Sequence, residues 1–128
     1  MGDMKKCIAC FKELGFKPKV DDFESKLIMQ KTVYLLESAG IKLGYGFGLY
    51  IRGAYSPDLT RELYAHQEAV QKLEGSRQLT SEEIKIVSEF KEVFGDLKPS
   101  LLEISATYAL LRESGLDEGK AIRKLKEM

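Results

Sequence analysis

The sequence predicts a mainly α, compact single domain spanning residues 1–128, with about six helices and one short β-hairpin near residues 44–53. Three observations carry this prediction. Apolar residues recur at three- and four-residue spacing through most of the chain, as in helices that bury one face. Most of these segments open on Asp, Ser or Thr and close on Gly, the residue types that satisfy or end a helix. Only Tyr45 to Arg52 alternates with period two, the pattern of a half-buried strand. A winged-helix-like arrangement is one form such a mixture takes.

In chain order, the first helix covers about residues 2–15, with Met4, Cys7, Ile8, Phe11 and Leu14 on one stripe and Gly15 as its stop. The second starts at Asp21 or Asp22, either of which can accept from the free N–H groups of the first turn. Phe23, Leu27, Ile28, Tyr34, Leu35 and Ala39 form its expected apolar face, with the stem of Lys31, and Gly40 ends it. After the hairpin, Ser56-Pro57-Asp58 opens a third helix: Ser caps, Pro sits where its missing N–H is harmless, and Asp meets the positive end of the dipole. Leu59, Leu63, Ala69, Val70 and Leu73 carry that helix to Gly75. Thr80-Ser81-Glu82-Glu83 is a capping box for a fourth, ending at Gly95, with Ile84, Val87, Phe90 and Val93 or Phe94 buried. Pro99, or Ser100 with Glu103, opens a fifth that Gly115 ends, carrying Leu101, Leu102, Ile104, Ala106, Tyr108, Ala109 and Leu111. Asp117 caps a short last helix with Ala121, Ile122 and Leu125.

Composition narrows the function classes. Hydrophobic content of 44% with 31% charged residues supports a real core and argues against wholesale disorder. Twenty basic and twenty acidic side chains cancel, whereas general nucleic-acid binders carry a positive surplus to neutralise phosphate. No apolar run approaches the roughly 18 residues of a membrane span, and no secretory leader opens the sequence. Two cysteines do not make a disulfide framework. The expected setting is the cytoplasm, with both thiols reduced and no membrane association.

Candidate chemistries fall away one by one. Cys7 and Cys10 form a single C-x-x-C with no second ligand pair, so they read as small buried hydrophobes rather than a zinc or redox site. His66 is the only histidine and has no nucleophile pattern around it, so it reads as a surface or half-buried helix residue. Gly44, Gly46 and Gly48 lack both the Lys-Ser/Thr ending of a phosphate loop and a helix opening directly at the glycines. The acidic pairs Asp21/Asp22 and Glu82/Glu83 coincide with helix starts, where carboxylates suit the dipole. No catalytic group, cofactor or metal site is predicted.

The aromatic and basic residues of the middle segment remain. Tyr45, Tyr50, Arg52, Tyr55, Arg61 and Tyr64 are predicted to share a face, with Lys31 and Lys42 nearby; Tyr and Arg are enriched at binding hot spots. Alternation assigns Phe47, Leu49 and Ile51 to the core and leaves Tyr50 and Arg52 for a partner, while Tyr45 fits either role.

The runs L-I-M-Q-K-T-V-Y-L-L from Leu27 and G-A-Y-S-P-D-L-T-R-E-L-Y from Gly53, with Leu43-Gly44-Tyr45, Phe47 and Tyr50 between them, resemble the Panacea (SocA-like) family. The resemblance is close over residues 27–64 and loose over 22–115. It rests on Gln30, Lys31, Tyr34, Tyr50, Gly53, Tyr55, Ser56, Pro57, Leu59 and Tyr64, and departs at Ala54, where the family usually has proline. It implies a mostly helical domain of antitoxins and proteolytic adaptors that bind partner proteins, a toxin among them, with no enzyme activity. The expected partner-binding residues are Tyr45, Tyr50, Arg52, Tyr55 and Arg61. A winged-helix-type nucleic-acid-binding regulator is the alternative.

Overall fold

Each segment with three- and four-residue apolar spacing becomes a helix in the computed structural model, which describes residues 2–127. The order is α1 (Met4–Leu14), α2 (Phe23–Ser38), β1 (Gly48–Tyr50), β2 (Gly53–Tyr55), α3 (Pro57–Ala65), α4 (Gln67–Lys72), α5 (Ser81–Phe94), α6 (Pro99–Glu113) and α7 (Glu118–Glu127). The caps behave as their chemistry dictates. Asp22 accepts from the Ser25 N–H at 2.8 Å and Ser56 from the Leu59 N–H at 3.2 Å. Thr80 and Glu83 close a reciprocal capping box, and Asp117 accepts from the Lys120 N–H at 2.8 Å.

The helix α2 is the axle of the fold. Residues 27–34 are buried without interruption, because α2 meets α5 on one side and α6 and β2 on another. The larger core gathers Phe11, Met29, Leu36, Leu43, Leu59 and Val87; a smaller one holds Tyr34, Ala54 and Ala106 with Phe47 against them. Burial raises the thiol of Cys7 and pushes Cys10 up to about 12, as expected of small hydrophobes in a core.

The expected third helix is two helices, with His66 at the break between α3 and α4. The apolar stripe lapses there, since positions 66 and 67 are His and Gln, and α4 ends at Leu73 in a left-handed conformation rather than at Gly75.

The hairpin differs from its expected form. It pairs Gly48 with Tyr55, Leu49 with Ala54 and Tyr50 with Gly53, so it occupies 48–55 rather than 44–53. Phe47 is half-buried and Leu49 exposed, while Ile51 is 96% exposed. The period-two reading fails because pairing starts only at Gly48 and Ile51 lies in the turn. The buried positions are instead Gly53 and Ala54, whose small size lets β2 approach α2 and α6. Gly53 has φ +92° while Ile51 and Arg52 stay out of the positive region, matching a type I turn followed by a bulge glycine.

Other expected core positions also face outward, namely Phe23, Ile84, Leu101, Ile104 and Ile122; of the alternatives Val93 and Phe94, Phe94 packs against the core and Val93 is exposed. Phe23 stands in the first turn of α2, and α5 touches the core along one narrow stripe, Val87 and Phe90. Ala39, the C-cap residue of α2, is exposed as well.

Candidate functional site

Phe23, Lys26, Leu27, Gln30 and Lys31 recur along α2 at i, i+3, i+4, i+7 and i+8, so they stand on one face. Opposite them α3 presents Thr60, Leu63 and Tyr64, and the hairpin contributes Arg52 and Tyr55. A cleft of about 270 Å³ opens between the two walls. Its position follows from the Ser56-Pro57 cap, which turns the chain from β2 directly into α3.

Two buried polar side chains of α2 hold the hairpin's main chain. Gln30 accepts from the Ser56 N–H at 2.8 Å and donates to the Ser56 carbonyl at 3.0 Å. It also donates to Thr60 Oγ1 at 2.8 Å, and that hydroxyl donates to the Tyr55 oxygen at 2.7 Å. Lys31, 2% exposed, donates through Nζ to the carbonyls of Arg52 at 2.7 Å and Ala54 at 2.6 Å. The four bonds that end on main-chain atoms fasten residues 52–56 to α2 and meet the rule that buried polar groups find partners.

The cleft is cationic over an apolar wall. Burial lowers the Lys31 ammonium from its ordinary range to about 8, helped by the neighbouring Arg52 and opposed by Glu103, because desolvation disfavours charge. Lys26 donates to the Tyr64 hydroxyl at 2.9 Å and lies 5.5 Å from the centre of that ring; the hydrogen bond holds its pKa up. Arg52 pairs with Glu103 at 2.8 Å and covers the Phe23 ring at 5.2 Å. No acidic residue or histidine is among those lining the cleft.

The structure brings three of the five expected partner-binding residues together. Tyr50 and Tyr55 meet edge to face at 5.2 Å, and Arg52 and Tyr55 both line the cleft. Tyr45 is a correction: it is 5% exposed, and its hydroxyl donates to Glu62 at 2.8 Å. Its burial follows from its place before the strand, where the loop passes over Gly2 and the main core. Arg61 stands apart, paired with Asp58 on its own helix and absent from the cleft wall. Lys42 lines a different depression, where neighbouring charges such as Arg77 and Asp3 pair with each other. Sequence reasoning did not place Phe23, Lys26, Thr60 or Leu63 at the site, and it took Lys31 as buried only by its stem. The helical spacing of 23, 26, 27, 30 and 31 was the available signal.

Comparison with known proteins yields no match: no family model, no curated protein and no solved structure is significantly similar to this chain.

Proposed function

We propose that this protein is a non-enzymatic protein-interaction module of the antitoxin or adaptor kind, which binds its partner through the hairpin tip and the surface beside it. The observation that carries the reading is Ile51, 96% exposed at the turn of a hairpin whose main chain is tied down at Arg52, Ala54 and Ser56. Single exposed apolar residues are ordinary. Here Leu49, Tyr50 and Ile51 are consecutive and exposed. They adjoin exposed Ile104 across a shared depression and exposed Phe23 through Arg52. A rigid cluster of this kind, bordered by an ion pair, has the make-up of an interface centre. The resemblance to the Panacea family supports the same reading.

The nucleic-acid alternative draws less support. Arg52 is the one cation of the turn and already pairs with Glu103, whereas phosphate recognition needs several uncommitted cations. The enzyme alternative also draws less support: neither a carboxylate nor an imidazole lines the cleft, and Lys31 Nζ is engaged by two main-chain carbonyls rather than by another catalytic group. No described helix is long and apolar enough to cross a membrane. A cytoplasmic setting, which keeps Cys7 and Cys10 reduced, fits the reading.

The test is capture from native host extract by immobilised wild-type protein, Ile51→Lys and Arg52→Ala, with mass spectrometry. Wild type is expected to retain one dominant protein, and both variants to lose it with unchanged unfolding midpoints. Equal capture by all three removes the tip from the interface. Retention on a DNA column that falls steeply with salt favours the regulator instead.

A further inference from the structure

The lining of the cleft includes the buried residue Lys31. Lys31 is 2% exposed and takes part in no ion pair among the described residues. An ammonium has three protons, and two are spent on the carbonyls of Arg52 and Ala54. Glu103, the carboxylate that acts on Lys31, is itself paired with Arg52, and a buried cation with no ion pair of its own is unfavourable and attracts an anion that can reach it. Lys26 stands above it on the same helix face, bound only to a neutral hydroxyl. The Tyr55 oxygen accepts from Thr60 and so keeps its own proton for a further acceptor.

Around these donors the wall is apolar, with Leu27, Leu63 and the rings of Phe23 and Tyr64. The volume, about 270 Å³, falls just below the roughly 300–1,000 Å³ of small-molecule sites. It exceeds the roughly 150 Å³ cavity that admits a benzene ring. One large side chain and an adjacent acid therefore match it in size and charge.

Resting on the interaction reading, we propose that the cleft between α2, α3 and β2 is the anchor pocket for an acidic segment of the partner protein. One phenylalanine- or leucine-sized side chain packs between Leu27, Leu63 and Tyr64, and the carboxylate of an Asp or Glu beside it meets Lys26 and Lys31. Specificity follows from the pairing: the apolar wall rejects a bare acid, and the uncompensated ammonium rejects a purely apolar segment.

The test is a titration of isotope-labelled protein with the capped peptide acetyl-Ala-Glu-Phe-Glu-Ala-amide, followed by NMR. The Gln-for-Glu and Ala-for-Phe peptides and a six-residue oligothymidine run alongside. The acidic peptide is expected to shift the signals of Leu27, Tyr55, Leu63 and Tyr64 saturably, with a dissociation constant near 1 mM, the order of a single anchored side chain. Both control peptides should bind at least about fivefold more weakly, and Lys26→Gln, at a surface position, should weaken the acidic peptide about threefold. Absence of saturable shifts at these residues, or equal binding of the Gln peptide, overturns the proposal. Tighter binding of the oligothymidine at the same residues overturns it in favour of nucleic acid. The host-extract capture separates the two levels. If Ile51→Lys abolishes capture while Lys26→Gln and Leu63→Ala leave it intact, the interaction module stands and the anchor pocket falls.

Discussion

Replacing Gly53 by alanine should lift the hairpin off α6, and the structure allows the cost to be built from two separate parts. The first is conformational. Gly53 has φ +92°, where an L-residue is disfavoured by about 1–2 kcal/mol. The second is steric. A Cβ built on Gly53 falls 2.0 Å from Thr107 Oγ1 and 3.3 Å from Thr107 Cβ. Thr107 is 3% exposed, so it has little room to turn away, and overpacking of this sort costs about 1–3 kcal/mol. Together the two parts predict a loss of about 2–5 kcal/mol. The assay is urea unfolding of wild type, Gly53→Ala, Thr107→Ala and the double variant. In the Thr107→Ala background the hydroxyl is gone while the φ strain stays, so the cost of Gly53→Ala should fall by at least about 1 kcal/mol. A Gly53→Ala stability within about 0.5 kcal/mol of wild type would refute the reasoning, as would additivity of the two substitutions to the same margin.

Other expectations follow from the same geometry. Gln30→Leu leaves the fully buried Ser56 N–H without an acceptor and should cost about 2–4 kcal/mol by chemical unfolding; a loss under about 1 kcal/mol would mean water or another group replaces the amide. Lys31, with a folded pKa of about 8 against 10.5 ordinarily, sheds its proton in the fold before it does in the unfolded chain. Its contribution to stability therefore rises with pH from about 8 to 10.5. The buried Cys7, Cys10, Tyr34 and Tyr45 have raised folded values and pull the opposite way. The Lys31 part is read as the difference between wild type and Lys31→Met, and a flat difference curve would contradict it. With Cys10 held at about 12 and Cys7 also raised, neither thiol should react with an aromatic disulfide reagent at pH 8 until the protein is unfolded; rapid labelling of the native state would show the helix opens. Phe47 is half-buried, its ring edge-on to Tyr34 at 5.2 Å. Phe47→Ala should accordingly cost about 1.5–3 kcal/mol in thermal unfolding, below the roughly 3–5 of a fully buried phenylalanine.

Helix ends were legible in the sequence because capping is local: Asp22, Ser56 with Pro57, and Thr80 with Glu83 each bond within three residues of themselves. The axle helix and the existence of a hairpin were readable for the same reason. The burial of Gln30 and Lys31 was not, since polar residues bury only where distant acceptors wait, and those lie 21 to 26 residues on. Ile51, expected in the core, is exposed, and Tyr45, open to either role, is buried, because pairing begins only at Gly48 and the strand is three residues long, too short for alternation to decide which side faces in. The cleft's α2 wall was written in the spacing of positions 23 to 31. Its partner wall on α3 depended on the angle at which the chain leaves β2, a tertiary property.

The bonds from Gln30 to Ser56 and from Lys31 to residues 52 and 54 end on peptide groups rather than on side chains. Peptide groups are common to every sequence, so the hairpin's mooring is indifferent to what Leu49, Tyr50, Ile51 and Arg52 happen to be. Mutation can rewrite those four positions without loosening the loop, provided Gly53 and the two gripping residues stay. Such a scaffold separates the part that folds from the part that varies, as antibody frameworks do. Randomising residues 49–52 should yield a library in which nearly every member folds and each displays a different surface.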